Sequence, residues 1–143
     1  MKLLEMNLEQ ILLDTLEYYS GHTERMCSTG IKCAYSPFTI GAEETSEGCA
    51  IGRLIDRDLA NILDEENTAI TSEITLEEIE VYSEPAYKKI KDNIDFFAEL
   101  QDLHDKGYLT KSQLEEYPKS RIKHIIKAKN FNPELFTKWI RND

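Results

Sequence analysis

In stretch after stretch, this chain places its apolar residues three and four positions apart, and each stretch ends at a glycine, a proline or a capping residue. That spacing lets a helix bury one face and leave the other in water, so it predicts a helix-dominated fold. The first stretch carries Leu4, Leu8, Ile11, Leu12, Thr15, Leu16 and Tyr19 on one face and Glu9, Asp14 and Glu17 on the other. Ser20-Gly21 ends it, because glycine takes the left-handed position past a helix end at little cost.

Between His22 and Gly52 the pattern changes. Gly30, Pro37, Gly41 and Gly48 interrupt any helix, and short apolar runs stand at residues 31–35 and 49–51. These runs read as two strands joined by the polar loop around residues 43–47, a short β-hairpin.

Helical spacing returns with Leu54, Ile55, Leu59, Ile62 and Leu63, ahead of the acidic run Asp64-Glu65-Glu66-Asn67. Thr75 and Glu78 then have the spacing of a capping box, with Ile74 and Ile79 placed for a hydrophobic staple, predicting a short helix from Leu76 to Tyr82. Ser83 caps a longer, central helix over residues 85–106. Its Pro85 sits in the first turn, where the missing N–H matters little, and Gly107 stops it. Leu109 to Leu114 repeats the capping pattern, Pro118 restarts the segment, and Ile122, Ile125 and Ile126 supply its buried edge. Asn132-Pro133-Glu134 opens a terminal helix bearing Phe136, Trp139 and Ile140. No internal repeat or linker divides the chain, and 143 residues suit one domain. The expected fold is therefore α+β: a mainly helical single domain of five or six helices around a short β-hairpin.

Charge narrows the function classes. The net charge is −10, and residues 43–84 hold thirteen acids against Arg53 and Arg57, while residues 85–143 carry a balance of +3. An acidic chain repels nucleic acid and anionic membranes unless a basic patch is segregated. Lys119, Arg121, Lys123, Lys127 and Lys129, with His124, form such a stretch, and Tyr117 or Phe131 could stack on bases. The competing reading is an ordinary solvated helix face, and the acidic surroundings favour it. The start has no apolar core of signal-peptide length and no later run is long enough to span a bilayer, so the expected compartment is the cytoplasm, with reduced thiols.

Two cysteine constellations could carry chemistry. Cys27, Cys33 and Cys49, with His104 as a fourth ligand, would make a zinc site, but the close cysteine pairs that such sites favour are missing, and small buried thiols pack well as hydrophobes. No cofactor or metal is expected. The second constellation pairs Cys49 as nucleophile with His104 as base. Gly48-Cys49-Ala50-Ile51-Gly52 precedes a helix, whose amides can depress a thiol pKa. Asp105 adjoins His104, an awkward position for an orienting group on a helix, and Gln101 lies one turn earlier on the same face. His104 also continues the apolar stripe of Ile90, Ile94 and Phe97, which is equally the mark of a core histidine. Phosphate-loop, zinc-protease, EF-hand and serine-elbow motifs are absent.

Three blocks resemble a family of small uncharacterised phage and prophage proteins: Lys32-Cys33-Ala34-Tyr35, then Gly48-Cys49-Ala50-Ile51-Gly52-Arg53-Leu54-Ile55, then Leu100-Gln101-Asp102-Leu103-His104-Asp105. The family pattern has a cysteine–tyrosine strand, a C-A-x-G-x-L-I segment and an L-Q-x-x-H-D helix end. This chain departs from it with more residues between the cysteine blocks and with Asp56 where the pattern has proline. The resemblance implies a host-side or mobile-element origin in bacteria and a shared core around Cys49 and His104, and it brings no activity. The function expected is an intracellular, non-catalytic protein acting through protein–protein contact or self-association. The alternative is a cysteine-dependent hydrolase or transferase built on Cys49 and His104, with Gln101 or Asp105 assisting.

Overall fold

Asn7 starts the first long helix by reciprocal bonding. Its side chain accepts from the Gln10 amide at 2.8 Å while Gln10 Oε1 accepts from the Asn7 amide at 2.9 Å, so two amide groups that the helix start would leave unpaired are satisfied. This break at Met6-Asn7 divides the N-terminal segment in a computed structural model of the chain, which describes residues 1–22, 35, 38–40, 43–46, 49–66, 69–106, 108 and 116–141. Helix α1 spans Lys2–Glu5 and α2 spans Leu8–Tyr19. The break also shifts the helical phase, so that Leu3 is buried and Leu4 faces solvent. The Lys89 ammonium secures the junction by donating to the carbonyls of Leu3 and Met6.

Six further α-helices follow among the described residues: α3 (Arg57–Glu66), α4 (Glu73–Tyr82), α5 (Glu84–Asp92), α6 (Ile94–Asp105), α7 (Glu116–Ala128) and α8 (Thr137–Ile140). Single-turn 3₁₀ helices at Gly52–Leu54 and Pro133–Phe136 precede α3 and α8. Consecutive helices α3 to α6 pack on one another, α1 lies against α5, and α7 against α8. Their apolar faces meet in one core that includes Leu12, Leu16, Leu59, Phe97, Leu100 and Ile122.

Among the described residues the packed fold is helical, which corrects the α+β expectation. Residues 49–51 are not a strand: the Arg53 amide donates to the Cys49 carbonyl at 3.0 Å and Leu54 to Ile51 at 2.9 Å, the bonds of a tightening helical turn. A three-residue apolar run has too little length for its period to tell buried strand from buried turn. The only extended pairing among the described residues is a ribbon of Phe38–Ile40 antiparallel to Glu43–Ser46. It occupies part of the expected polar loop, its strands contact chiefly each other, and it gives the helices no sheet to pack on. Of the other expected strand, 31–35, only Tyr35 is described and it stands at a bend; residues 31–34 lie outside the described residues, as do Gly107 and the capping pattern of 109–114.

Two helix boundaries also differ from expectation. The helix predicted from Leu76 begins at Glu73 behind Ser72, and Thr75, expected as its cap, is a buried residue of its first turn. The central helix is two helices, because Asn93 leaves helical geometry (φ −128°, ψ 33°) and its side chain donates to the Lys89 carbonyl at 2.9 Å. Ser83 does cap α5, accepting from the Ala86 amide at 3.3 Å, and Gly21 takes φ +76° past the end of α2. Helix α7 closes on Asn130 at φ 56°, with the Phe131 amide donating back to the Ile126 carbonyl at 2.9 Å. This is the wrap-around bond of a left-handed helix end.

Candidate functional site

The turn at Cys49 and the end of α6 carry the residues that the sequence singled out. Cys49 is buried, and its sulfur accepts from the Gly52 amide at 3.4 Å. Gly52 is in turn pressed on the backbone of Tyr35: a Cβ there would stand 1.8 Å from the Tyr35 carbonyl oxygen. The Tyr35 amide donates to Asp64 Oδ1 on α3 at 2.6 Å. One short turn is thus clamped between a remote tyrosine and a helix.

Burial pushes the Cys49 thiol up to about 12, and the charges of Asp105 and Asp64 add to that effect. The amides of Gly52 and Ile51 work in the opposite direction and lose. The sequence expected amides at a helix start to depress the thiol. They are present, but a single 3₁₀ turn offsets little of what removal from water costs a thiolate. The Tyr35 hydroxyl is raised as well, first by burial and then by Cys49, Asp105 and Asp64. At neutral pH the sulfur is a protonated thiol.

His104 is buried at the end of α6, with only 1% of its surface exposed. Its Nδ1 lies 3.1 Å from Asp105 Oδ1, and the Gln101 amide donates to that same oxygen at 2.6 Å. Asp105 therefore does reach the imidazole despite being its chain neighbour, because it is the last residue of the helix. Gln101 orients the carboxylate rather than the ring. With its proton on Nδ1, His104 would offer Nε2 as an acceptor, but the hydrogen-bond partner of the Cys49 sulfur is Gly52.

The sequence missed the charged member of this neighbourhood. Arg53 has a side chain only 3% exposed, paired with Asp14 Oδ2 at 3.2 Å. Its guanidinium lies 3.7 Å from the centre of the Tyr18 ring and 5.8 Å from that of Tyr19, and Tyr19 meets His104 edge to face at 5.0 Å. An aromatic and ionic chain thus runs from α2 through the Cys49 turn to the end of α6. An arginine inside an otherwise apolar block was the available signal, since a buried guanidinium needs a partner.

No group of three or more potential metal ligands occurs among the described residues, and Cys27 and Cys33 lie outside them. No helix among those residues is long and apolar enough to cross a membrane. The basic stretch is largely engaged. Arg121 bonds Glu99 and Asp102 of α6 at 2.8 and 3.2 Å, Lys129 bonds Asp95 at 3.1 Å, and Lys119 donates to the Arg141 carbonyl. Phe131 stacks on Phe136 and meets Phe96 edge to face, so its ring serves the core. Lys123 and Lys127 also line an open groove of about 320 Å³.

Comparison with protein-family models, curated proteins and solved structures finds no match to this chain. The likeness to phage and prophage proteins rests on the three short blocks alone.

Proposed function

We propose that this chain is a non-catalytic intracellular protein of mobile-element descent that acts through protein–protein contact. The observation that carries the reading is the state of Cys49: buried, bonded to the Gly52 amide, and with its thiol pushed up to about 12. A nucleophilic cysteine needs thiolate character and access, and this one has neither. The exposed apolar side chains of α4 supply what a contact protein needs instead.

One observation favours the alternative, a hydrolase or transferase with Cys49 as nucleophile and His104 as base. Asp105, itself held by Gln101, holds the imidazole as a catalytic histidine is held. Alkylation by iodoacetamide, read cysteine by cysteine by mass spectrometry across pH, separates the two. The expected result is that Cys49 resists modification at neutral pH until urea unfolds the chain. Rapid modification of folded protein at neutral pH, lost in His104→Ala, would restore the catalytic reading.

A further inference from the structure

Helix α4 buries Thr75 and Ile79 and turns the opposite side to solvent. On that side Ile74 and Val81 are 50% and 86% exposed, and Tyr82 beside them is 38% exposed. Ile74 and Val81 stand seven residues apart, so they fall on one line along the helix, about 10 Å from end to end. That is the repeat with which one helix face meets another. Tyr82 is fixed at the end of the line by its hydroxyl, which donates to Asp56 Oδ2 at 3.1 Å.

Acid borders this stripe. The helix carries Glu73, Glu77, Glu78 and Glu80 and neither lysine nor arginine. Helical spacing sets Glu77 on one side of the line and Glu78 on the other. No hydrogen bond or ion pair among the described residues involves either carboxylate. Glu80 stands farther round the helix, in the field of Lys91 of α5. The face is therefore apolar along its middle and carries unmatched negative charge along both edges.

That border repels nucleic acid and anionic membranes, which carry the same sign of charge. It also disfavours a second copy of this chain. The net charge is −10, and the basic stretch is largely engaged: Arg121 and Lys129 are bonded to α6, and Lys119 to the Arg141 carbonyl. Resting on the protein–protein reading above, we propose that the outer face of α4 docks a basic amphipathic helix of a different protein. The apolar side chains of that helix cover Ile74 and Val81, and its lysines or arginines pair with Glu77 and Glu78. Helix faces recognised in this way are read by anchors one and two turns apart, as the line of Ile74 and Val81 requires. The acidic edges steer the encounter, so added salt weakens the contact.

Fluorescence anisotropy with a labelled leucine–lysine peptide of about 18 residues, its leucines on one helical face, tests this. The protein should bind it with a Kd on the order of micromolar at low salt, and more weakly at physiological salt. A scrambled peptide of the same composition keeps the charge but loses the apolar face, and should bind at least about tenfold more weakly. Glu77→Lys/Glu78→Lys and Ile74→Ser/Val81→Ser should each weaken binding of the ordered peptide by about tenfold or more. Glu5→Lys/Glu134→Lys makes the same change of net charge at exposed acids elsewhere, and should weaken it by less than about threefold. Equal losses in all three variants, or equal binding of the two peptides, overturn the proposal, since net charge alone then captures the peptide. Absence of binding at low salt overturns it as well. Sedimentation velocity in which the wild type self-associates, and the peptide reverses this, overturns it in favour of a second copy. Circular dichroism verifies that the variants are folded. The alkylation result on Cys49 is read separately, so failure here is distinct from failure of the non-catalytic reading.

Discussion

Gly52 has room for a hydrogen and nothing larger, because the Tyr35 carbonyl occupies the place of a side chain. Gly52→Ala should therefore destabilise the fold by about 3 kcal/mol or more, as overpacking against backbone does. Gly21→Ala should cost about 1 kcal/mol, since Gly21 stands at φ +76° in open space and only the left-handed backbone objects. Urea midpoints of the two variants check the contrast. Cys49 makes a prediction in pH. Unfolded, its thiol titrates near 9.0, whereas the folded protein holds the proton up to about 12. Between those values the unfolded chain binds fewer protons, so stability falls as pH rises, by about 1.4 kcal/mol per unit. The Tyr35 hydroxyl joins in only above its own ordinary 10.0. Denaturation between pH 9 and 10, where the unfolded thiol is only partly deprotonated, should show wild type losing about 1 kcal/mol from this cause and Cys49→Ala losing less. At this scale Cys49, His104, Asp105 and Gln101 could be named from their chemistry. Arg53 could not, because its partner Asp14 lies 39 positions away and only folding brings the two together.

Helix starts are local events and can be tested locally. The capping box of Asn7 and Gln10 closes over three residues, so Asn7→Ala should cost about 1 kcal/mol, measurable as a lower thermal midpoint. The seam between α6 and α7 is different in kind. Arg121 and Glu99 pair at 2.8 Å but keep 21% and 26% of their side-chain surface in water. A double-mutant cycle on that pair should give a coupling of only about 0.5–1 kcal/mol, shrinking as salt is added. Helix periodicity was legible along most of the chain, and the caps at Ser83 and Asn132 follow from residue type alone. What failed was phase and continuity. Met6-Asn7 and Asn93 interrupt stripes that run on in the sequence, and in each case hydrogen bonds outside the helix ladder are made at the break. The capping box expected at Thr75 failed because burial took Thr75 into the first turn of α4.

Across the whole molecule, the polarised charge invites the thought that an acidic half attracts a basic half. Several of the ion pairs instead join α6 to α7, both within the C-terminal half, while Arg53 pairs with Asp14 of α2. Removing α7's Arg121 charge should lower the thermal midpoint slightly, since the pair it forms stays partly in water. The amino-acid sequence by itself determined that this chain is mainly helical, which residues line most helix faces, and that thiol chemistry, if any, would centre on Cys49. Those properties depend on neighbours within a turn or two. Only the tertiary structure decided that residues 49–51 are a turn rather than a strand, that Arg53 is buried against Asp14, and that the Cys49 thiol stays protonated. Each of these depends on removing a group from water by packing remote segments against it, and the free energy of that step is not written in local spacing.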